Sequence, residues 1–412
     1  MIALSLPPFC TAATADFRPT GSLNGWHGRL VDDPAALAAL ATSGRRADDF
    51  WVRPAVLAYL AEHPQGVSTS VLLLEHAPTD RRLLLTVQYF YFNAAGQVRD
   101  EAKGETSGFD LRRRLLAPFS FRVAAVGQFV TSGPFATLGL EELADAEATE
   151  LLPAVGDFLM GREHACVAYL LKDLYAADHP VTRGLEKRRH YSLPDDPIMQ
   201  LTISPEWRTM EDYLEALTSK YRVRYRRARG KLAGLTRRRL TSAEVRERAP
   251  ELFDLYRGLS ATAGFNVVKL KPGYFSWLAG LTDATGRPSV VFHGYFTAPG
   301  ELVGFTTAIA NGPVRHAHFL GLRSAYKRSH HLYHNMLFDL LADALAAGAS
   351  TLDYGRTALE IKSSVGARPV DSTVLLHSRY ATLNFLIPYF TPAVYTAEAW
   401  SARNPFRETS AD

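Results

Sequence analysis

Histidine, carboxylate and cation spacing gives the first handle on chemistry. His316 and His318 alternate within one run, so on a strand they share a face and bring two imidazoles to one surface. His330, His331 and His334 cluster further on, with His330 and His334 one helical turn apart. No Glu follows the first His in the metalloprotease manner and no third ligand stands at a matching spacing, so no metal is expected. Cations are concentrated in MEDYLEALTSKYRVRYRRARGKL, residues 210–232. On a helix, Leu214, Leu217, Tyr221, Tyr225, Ala228 and Leu232 make one packing face. Arg222, Arg226 and Arg229 form a basic stripe beside it, and Lys220, Arg224, Arg227 and Lys231 form another. The stripes read either as a solvated flank or as a surface for phosphates. The aromatic run Tyr89 to Phe92 suits a strand covered on both faces, or base stacking.

These residues must be held by more than one core. A length of 412 residues exceeds the roughly 250–300 that a single core organises, so two domains are expected. Ser192-Leu193-Pro194-Asp195-Asp196-Pro197 has two prolines, two acids and no periodicity, which sets the boundary at 1–197 and 198–412. In the first half, residues 67–75 and 82–92 read as strands around the turn Ala77 to Asp80, with a third strand at 121–131. A helical pattern over 141–164 is kinked or restarted by Pro153, and 165–174 reads as a buried strand holding Cys166.

In the second half, a helix at 210–232 leads to a strand at 236–241 and helical pattern at 243–263, with Pro250 starting a new helix. Residues 272–281 read as a further helix. Strands at 289–296, 302–310 and 314–320 follow, then a helix from 329 to 347 that stops at Gly348. Strands at 351–354 and 372–377 finish that sheet. The order hairpin, third strand, helix, fourth strand occurs in both halves, giving an α/β fold of two mixed-sheet domains in tandem.

Composition narrows the setting. An apolar fraction of 47% with 21% charged residues is ordinary globular composition, which excludes a disordered or fibrous chain. The net charge of +4 names no partner. No apolar run reaches the ~18 residues of a membrane span, and Met1 to Thr14 lacks the basic start of a signal peptide and carries Pro7 and Pro8. Cys10 and Cys166 stand far apart in no metal or redox spacing. A cytoplasmic location is expected.

Two motifs carry a resemblance. The segment 210–232, an acidic Leu-containing start leading into a Ser-Lys-x-Arg basic run, resembles the opening helix of the FemAB-like branch of the GNAT acyltransferase superfamily. Leu352-Asp353-Tyr354-Gly355-Arg356-Thr357 followed by Ile361-Lys362-Ser363-Ser364-Val365-Gly366-Ala367 resembles that branch's closing strand and Lys-x-x-x-Gly loop. The two stand in the family's order around a strand-helix-strand core. The resemblance implies GNAT-like sheet domains, the second better supported, and an N-acyltransferase that joins an acyl group from a thioester to an amine. Its chemistry needs a deprotonated amine and a held oxyanion. Asp353, Glu360 and His318 are then candidate bases, and Tyr333 and Tyr354 candidate proton donors. Arg323, Lys327, Arg328, Arg356 and Lys362 are candidate donor or substrate ligands. Leu322 to Ser329, where such enzymes carry a glycine-rich pyrophosphate loop, has no glycine. Acyl-CoA is therefore one possible donor. An aminoacyl-tRNA bound through Lys220 to Lys231 is another, and a binding protein without catalysis is a third reading.

Overall fold

The structure is a computed structural model that describes residues 17–40, 46, 48–93, 120–162, 166–260, 267–394 and 400–407. Cys10 and the stretch Met1 to Thr14 lie outside the described residues. The chain forms two compact units that part at Asp196 and Pro197.

The first unit takes strands β1 (Trp26–Val31), β2 (Ser68–His76), β3 (Arg81–Asn93), β4 (Ser120–Val126), β5 (Thr137–Leu138), β6 (Cys166–Lys172) and β7 (Tyr191–Leu193). β2 and β3 pair antiparallel from Ser68↔Tyr89 to His76↔Arg81, the hairpin that the turn residues predict. Asp145–Arg162 is one helix with Pro153 inside it, and it connects β4 to the parallel strand β6. Cys166 is buried in the core this helix covers.

The second unit takes β8 (Ile198–Thr202), β9 (Leu235–Leu240), β10 (Val290–Thr297), β11 (Leu302–Asn311), β12 (Val314–Leu322), β13 (Thr351–Asp353) and β14 (Arg368–Val370). Its order, β14-β8-β13-β12-β11-β10-β9, is an antiparallel meander running into the parallel pair β12 and β13. Helix Leu332–Ala346 connects that pair and ends at Gly348, whose positive φ of 65° and N–H bond to the Leu345 carbonyl are those of a glycine cap. Its buried face, with Leu337, Leu340, Leu341 and Ala344, packs on Met199, Leu201 and Leu352 of the sheet.

The last strand overturns one expectation. β15 (Val374–Ser378) does not finish the second sheet; it pairs antiparallel with β6 and β7 of the first. Of the described residues, 371–394 therefore belong to the first unit and 400–407 to the second. The two sheets have one topology: four antiparallel strands, a crossover helix to a parallel fifth, and an antiparallel sixth and seventh. In one the sixth place is filled by β15 from the chain's far end; in the other it is filled by β8. Side-chain periodicity marks β15 as a strand but is silent on which sheet edge receives it.

Two long helical patterns are also broken. Residues 210–232 form Met210–Ala216 and Ser219–Lys231. Between them Leu217 bridges Phe406 and the Thr218 N–H donates to the Pro405 carbonyl, so the C-terminal segment draws that backbone out of the helix. Residues 329–347 likewise divide, because Ser324–Ser329 is a separate helix and His331 adopts a left-handed φ of 46° before Leu332.

Candidate active site

The two sheets differ at their parallel pair. In the first, β4 is paired with β6 through to its last residue, Val126, opposite Leu171, and Val123 to Val126 are buried. In the second, β12 pairs with β13 only at Val314↔Thr351, Arg315↔Leu352 and His316↔Asp353. β12 runs on to Leu322 without that neighbour, and Ala317 to Leu320 are half-exposed although the strand is central. A gap opens between the two strands at the carboxyl ends, where ligands of open α/β sheets bind. β12 is also bulged there, pairing Ala308↔Ala317 and then Thr306↔Leu320, while the Thr307 hydroxyl donates to the Phe319 carbonyl at 2.6 Å. A bulge of this kind interrupts the ladder and re-aims side chains at the gap.

The gap has two faces, set by strand alternation. Met199, Leu201, Leu352 and Ala317 pack towards helix Leu332–Ala346. Gln200, Asp353, His316 and His318 alternate with them and take the opposite face. Asp353 is buried there. Its carboxylate accepts from the Gly355 N–H at 2.6 Å and the Gln200 amide at 3.1 Å, and it lies 3.7 Å from His316 Nδ1. His318 Nε2 is 2.8 Å from the Tyr274 hydroxyl. Desolvation, then the neighbouring His316, push its pKa down to about 3, so the imidazole is neutral at physiological pH.

On the helix face stands Tyr333. It packs against the same core clusters as Ala317 and Leu320, and its hydroxyl has no protein hydrogen bond among the described residues. Burial pushes its pKa up to about 12, so it stays protonated and can act only as an acid near neutral pH. Tyr354 is spoken for, because its hydroxyl donates to the Leu337 carbonyl at 2.8 Å.

The N-terminus of helix Leu332–Ala346 opens on the same side, with unpaired N–H groups and a positive dipole end. His331 caps it; burial, then Lys231 and Arg227, lower its pKa. His334, stacked on Phe338, is pushed down to about 4 by burial, then by His331, Arg224 and Arg229. Arg224, Arg227 and Lys231 of helix Ser219–Lys231 thus collar this N-terminus. They are held there by Asn335, whose amide donates to the Ala228 carbonyl at 2.8 Å, and by Arg229, which pairs with the buried Asp339 at 2.7 Å.

The predicted residues separate accordingly. His318 and Asp353 lie on one face of the sheet beside the gap, Asp353 with its oxygens already engaged, and Tyr333 lies on the helix that covers the other face. Glu360 is exposed and ion-paired with Arg403. Arg323 is exposed and pairs with Glu301 at 3.0 Å, while Lys327 and Arg328 lie exposed on the short helix Ser324–Ser329. Arg356 is half-buried in the turn after β13. Lys362, a candidate donor or substrate ligand, has its ammonium turned to the backbone. It is buried, and its ammonium donates to the carbonyls of Gly355 at 3.1 Å and Arg356 at 2.5 Å, so it ties the turn rather than facing solvent. Of the first basic stripe, Arg222 donates to the Leu217 carbonyl and Arg229 is in its ion pair; only Arg226 is exposed. His330 precedes the left-handed break, so it does not share one helix with His334, and no group of three metal-binding side chains occurs among the described residues. Tyr274 escaped the sequence reading: it lies 44 residues from His318, with no periodic signal joining them.

In the second unit an antiparallel meander thus runs into a parallel pair that parts over a crossover helix. Residues 219–363, about a third of the chain, match the family model described as an acetyltransferase (GNAT) domain. The second unit therefore carries a GNAT acetyltransferase-type domain. No curated protein matches it. Among solved structures, FemX has a TM-score of 0.48 at 9% identity, covering 77% of this chain and 90% of that one. N-myristoyltransferase of Saccharomyces cerevisiae with bound myristoyl-CoA has a TM-score of 0.45 at 9% identity, covering 91% and 84%. L-PGS from Bacillus licheniformis has a TM-score of 0.43 at 12% identity, covering 82% and 92%. None of these three reaches a TM-score of 0.5, and the assignment rests on the matched residues.

Proposed function

We propose that the second unit transfers an acyl group from a thioester donor to an amine, with the reaction in the gap between β12 and β13. The observation that carries this reading is the parting of that pair after His316 and Asp353, in contrast to the closed pair of the first sheet. A thioester carbonyl lying in the gap meets β12 backbone N–H groups that no neighbouring strand occupies, which suits an oxyanion as charge develops. The donor's phosphates would lie on the helix face, against the Leu332 N-terminus and the collar of Arg224, Arg227 and Lys231. The amine would enter from the opposite face, where neutral His318 accepts a hydrogen bond from it without the repulsion a cation would bring. The amine nitrogen attacks the carbonyl carbon, the carbon–sulfur bond breaks and Tyr333 hands its proton to the leaving thiolate; the proton that the nitrogen sheds as the amide forms passes to solvent past His318, and the phenolate regains its proton from solvent.

An aminoacyl-tRNA donor is the second reading. It is supported by the exposed cations from Lys220 to Lys231, which extend along helix Ser219–Lys231 for about 16 Å at 1.5 Å per residue. Purified protein incubated with acyl-CoAs or charged tRNAs and an amine panel, followed by mass spectrometry, tests both. Acyl-amine formed from a thioester supports the first reading, product from charged tRNA alone supports the second, and product from neither donor refutes the transferase reading.

A further inference from the structure

A groove of about 450 Å³ lies along the edge of the second sheet, within the size range of small-ligand sites. It is lined by Arg368 and Pro369 of β14, by Ser363, Gly366 and Ala367 before it, and by Ala402 to Pro405. Two arginines line it. Arg368, exposed at the start of β14, has no side-chain hydrogen bond or ion pair among the described residues. Arg403 donates its backbone N–H to Ser363 Oγ at 3.0 Å, and its guanidinium is paired with the exposed Glu360. Asn404 adds a further polar side chain. A planar guanidinium fork in a concave site matches a planar carboxylate better than it matches an amine or an apolar group.

The groove is in register with the gap. Arg368 is opposite Gln200, Gln200 is opposite Asp353, and Asp353 is opposite His316. Residues directly opposite in a sheet share a face, so Arg368 stands on the same face as Asp353, His316 and His318. Two strand spacings of about 4.8 Å separate β14 from β13, which puts Arg368 about 10 Å from the edge of the gap. Lys362, in the helix that follows β13, holds the turn Gly355–Arg356 and leads directly into the loop lining the groove.

We propose that Arg368 and Arg403 form a carboxylate-binding subsite for the acyl acceptor, so that the acceptor is an amine bearing a carboxylate about 10 Å from its nitrogen. This rests on the proposed transfer at the β12–β13 gap. An extended chain advances about 3.3–3.6 Å per residue, so the span corresponds to a tripeptide with a free C-terminus.

Triglycine and triglycine amide are the probes, each assayed at saturating donor and each titrated by calorimetry without donor. The expected result is that wild-type protein favours the free acid at least tenfold in kcat/KM. Arg368→Ala should remove that preference by raising KM for the acid at least tenfold, with less than a twofold change for the amide and for the donor KM. Arg403→Ala should act in the same direction and Arg368→Lys should restore part of the effect. Equal kcat/KM for acid and amide, or equal losses for both in Arg368→Ala, would overturn the subsite. Acid that binds to wild type and not to Arg368→Ala, with no transfer in any sample, would keep the subsite and remove the transferase reading. Absence of acid binding in the titration overturns the subsite whatever the transfer assay gives.

Discussion

Replacing Lys362 with Met separates a structural lysine from a ligand-binding one. The variant keeps most of the aliphatic stem but loses an ammonium that donates to the carbonyls of Gly355 and Arg356. Hydrogen bonds from a charged donor contribute about 1.5–3 kcal/mol each, and a buried acceptor left unmade costs about 1–3 kcal/mol. Allowing for apolar burial regained by the thioether, the net loss should be about 3 kcal/mol. For a domain of 150–250 residues that lowers the melting temperature by about 6–12 °C. Calorimetry gives the shift, and hydrogen exchange at Tyr354 to Arg356 should rise with it because the turn loses its tie. A melting temperature unchanged within about 1 °C together with weakened donor binding would refute the clamp and return Lys362 to the ligand.

Tyr333→Phe should lower kcat at least tenfold with donor KM and melting temperature near wild type, as steady-state kinetics and calorimetry can show; wild-type kcat would remove the phenol from the proton path. Arg224→Ala combined with Arg227→Ala and Lys231→Ala should weaken donor binding and flatten its salt dependence, whereas Arg229→Ala should chiefly destabilise, because it removes the nearer of the two guanidinium partners of the buried Asp339. Binding titrations at two salt concentrations and thermal melts separate the two outcomes. His293, His318 and His334 are pushed down to about 4, 3 and 4 by burial first, so each binds its proton more weakly folded than unfolded, where the value is near 6.5. Their stabilisation is complete above about pH 6.5 and drains away as pH falls towards 4. Thermal melts across that window should decline, and His293→Phe should flatten the slope; a flat wild-type profile contradicts this.

Local chemistry made much of this protein legible. Alternation and turn residues located the β2–β3 hairpin and the strands β10, β11 and β12, Gly348 marked the end of the central helix, and the proline-rich stretch 192–197 holds one of the several places where the chain passes between units. Those signals are short-range: side-chain period, φ preference and missing N–H groups act within a few residues. The pairing of His316 and His318 on one face also follows from alternation alone.

What the tertiary structure decided are matters of long range. Which sheet receives β15 depends on a vacant place beside β6, whose residues precede their partners by more than 200 positions, Lys172 facing Val374. The helix pattern at 210–232 breaks because Pro405 and Phe406 arrive at Leu217 and Thr218, and Lys362 is buried because the turn after β13 folds back over it. A lysine between a strand and a glycine loop reads as a surface cation until the carbonyls it faces are known. The gap itself is a difference in how far two strands stay paired, and neither strand's sequence states where its partner leaves it.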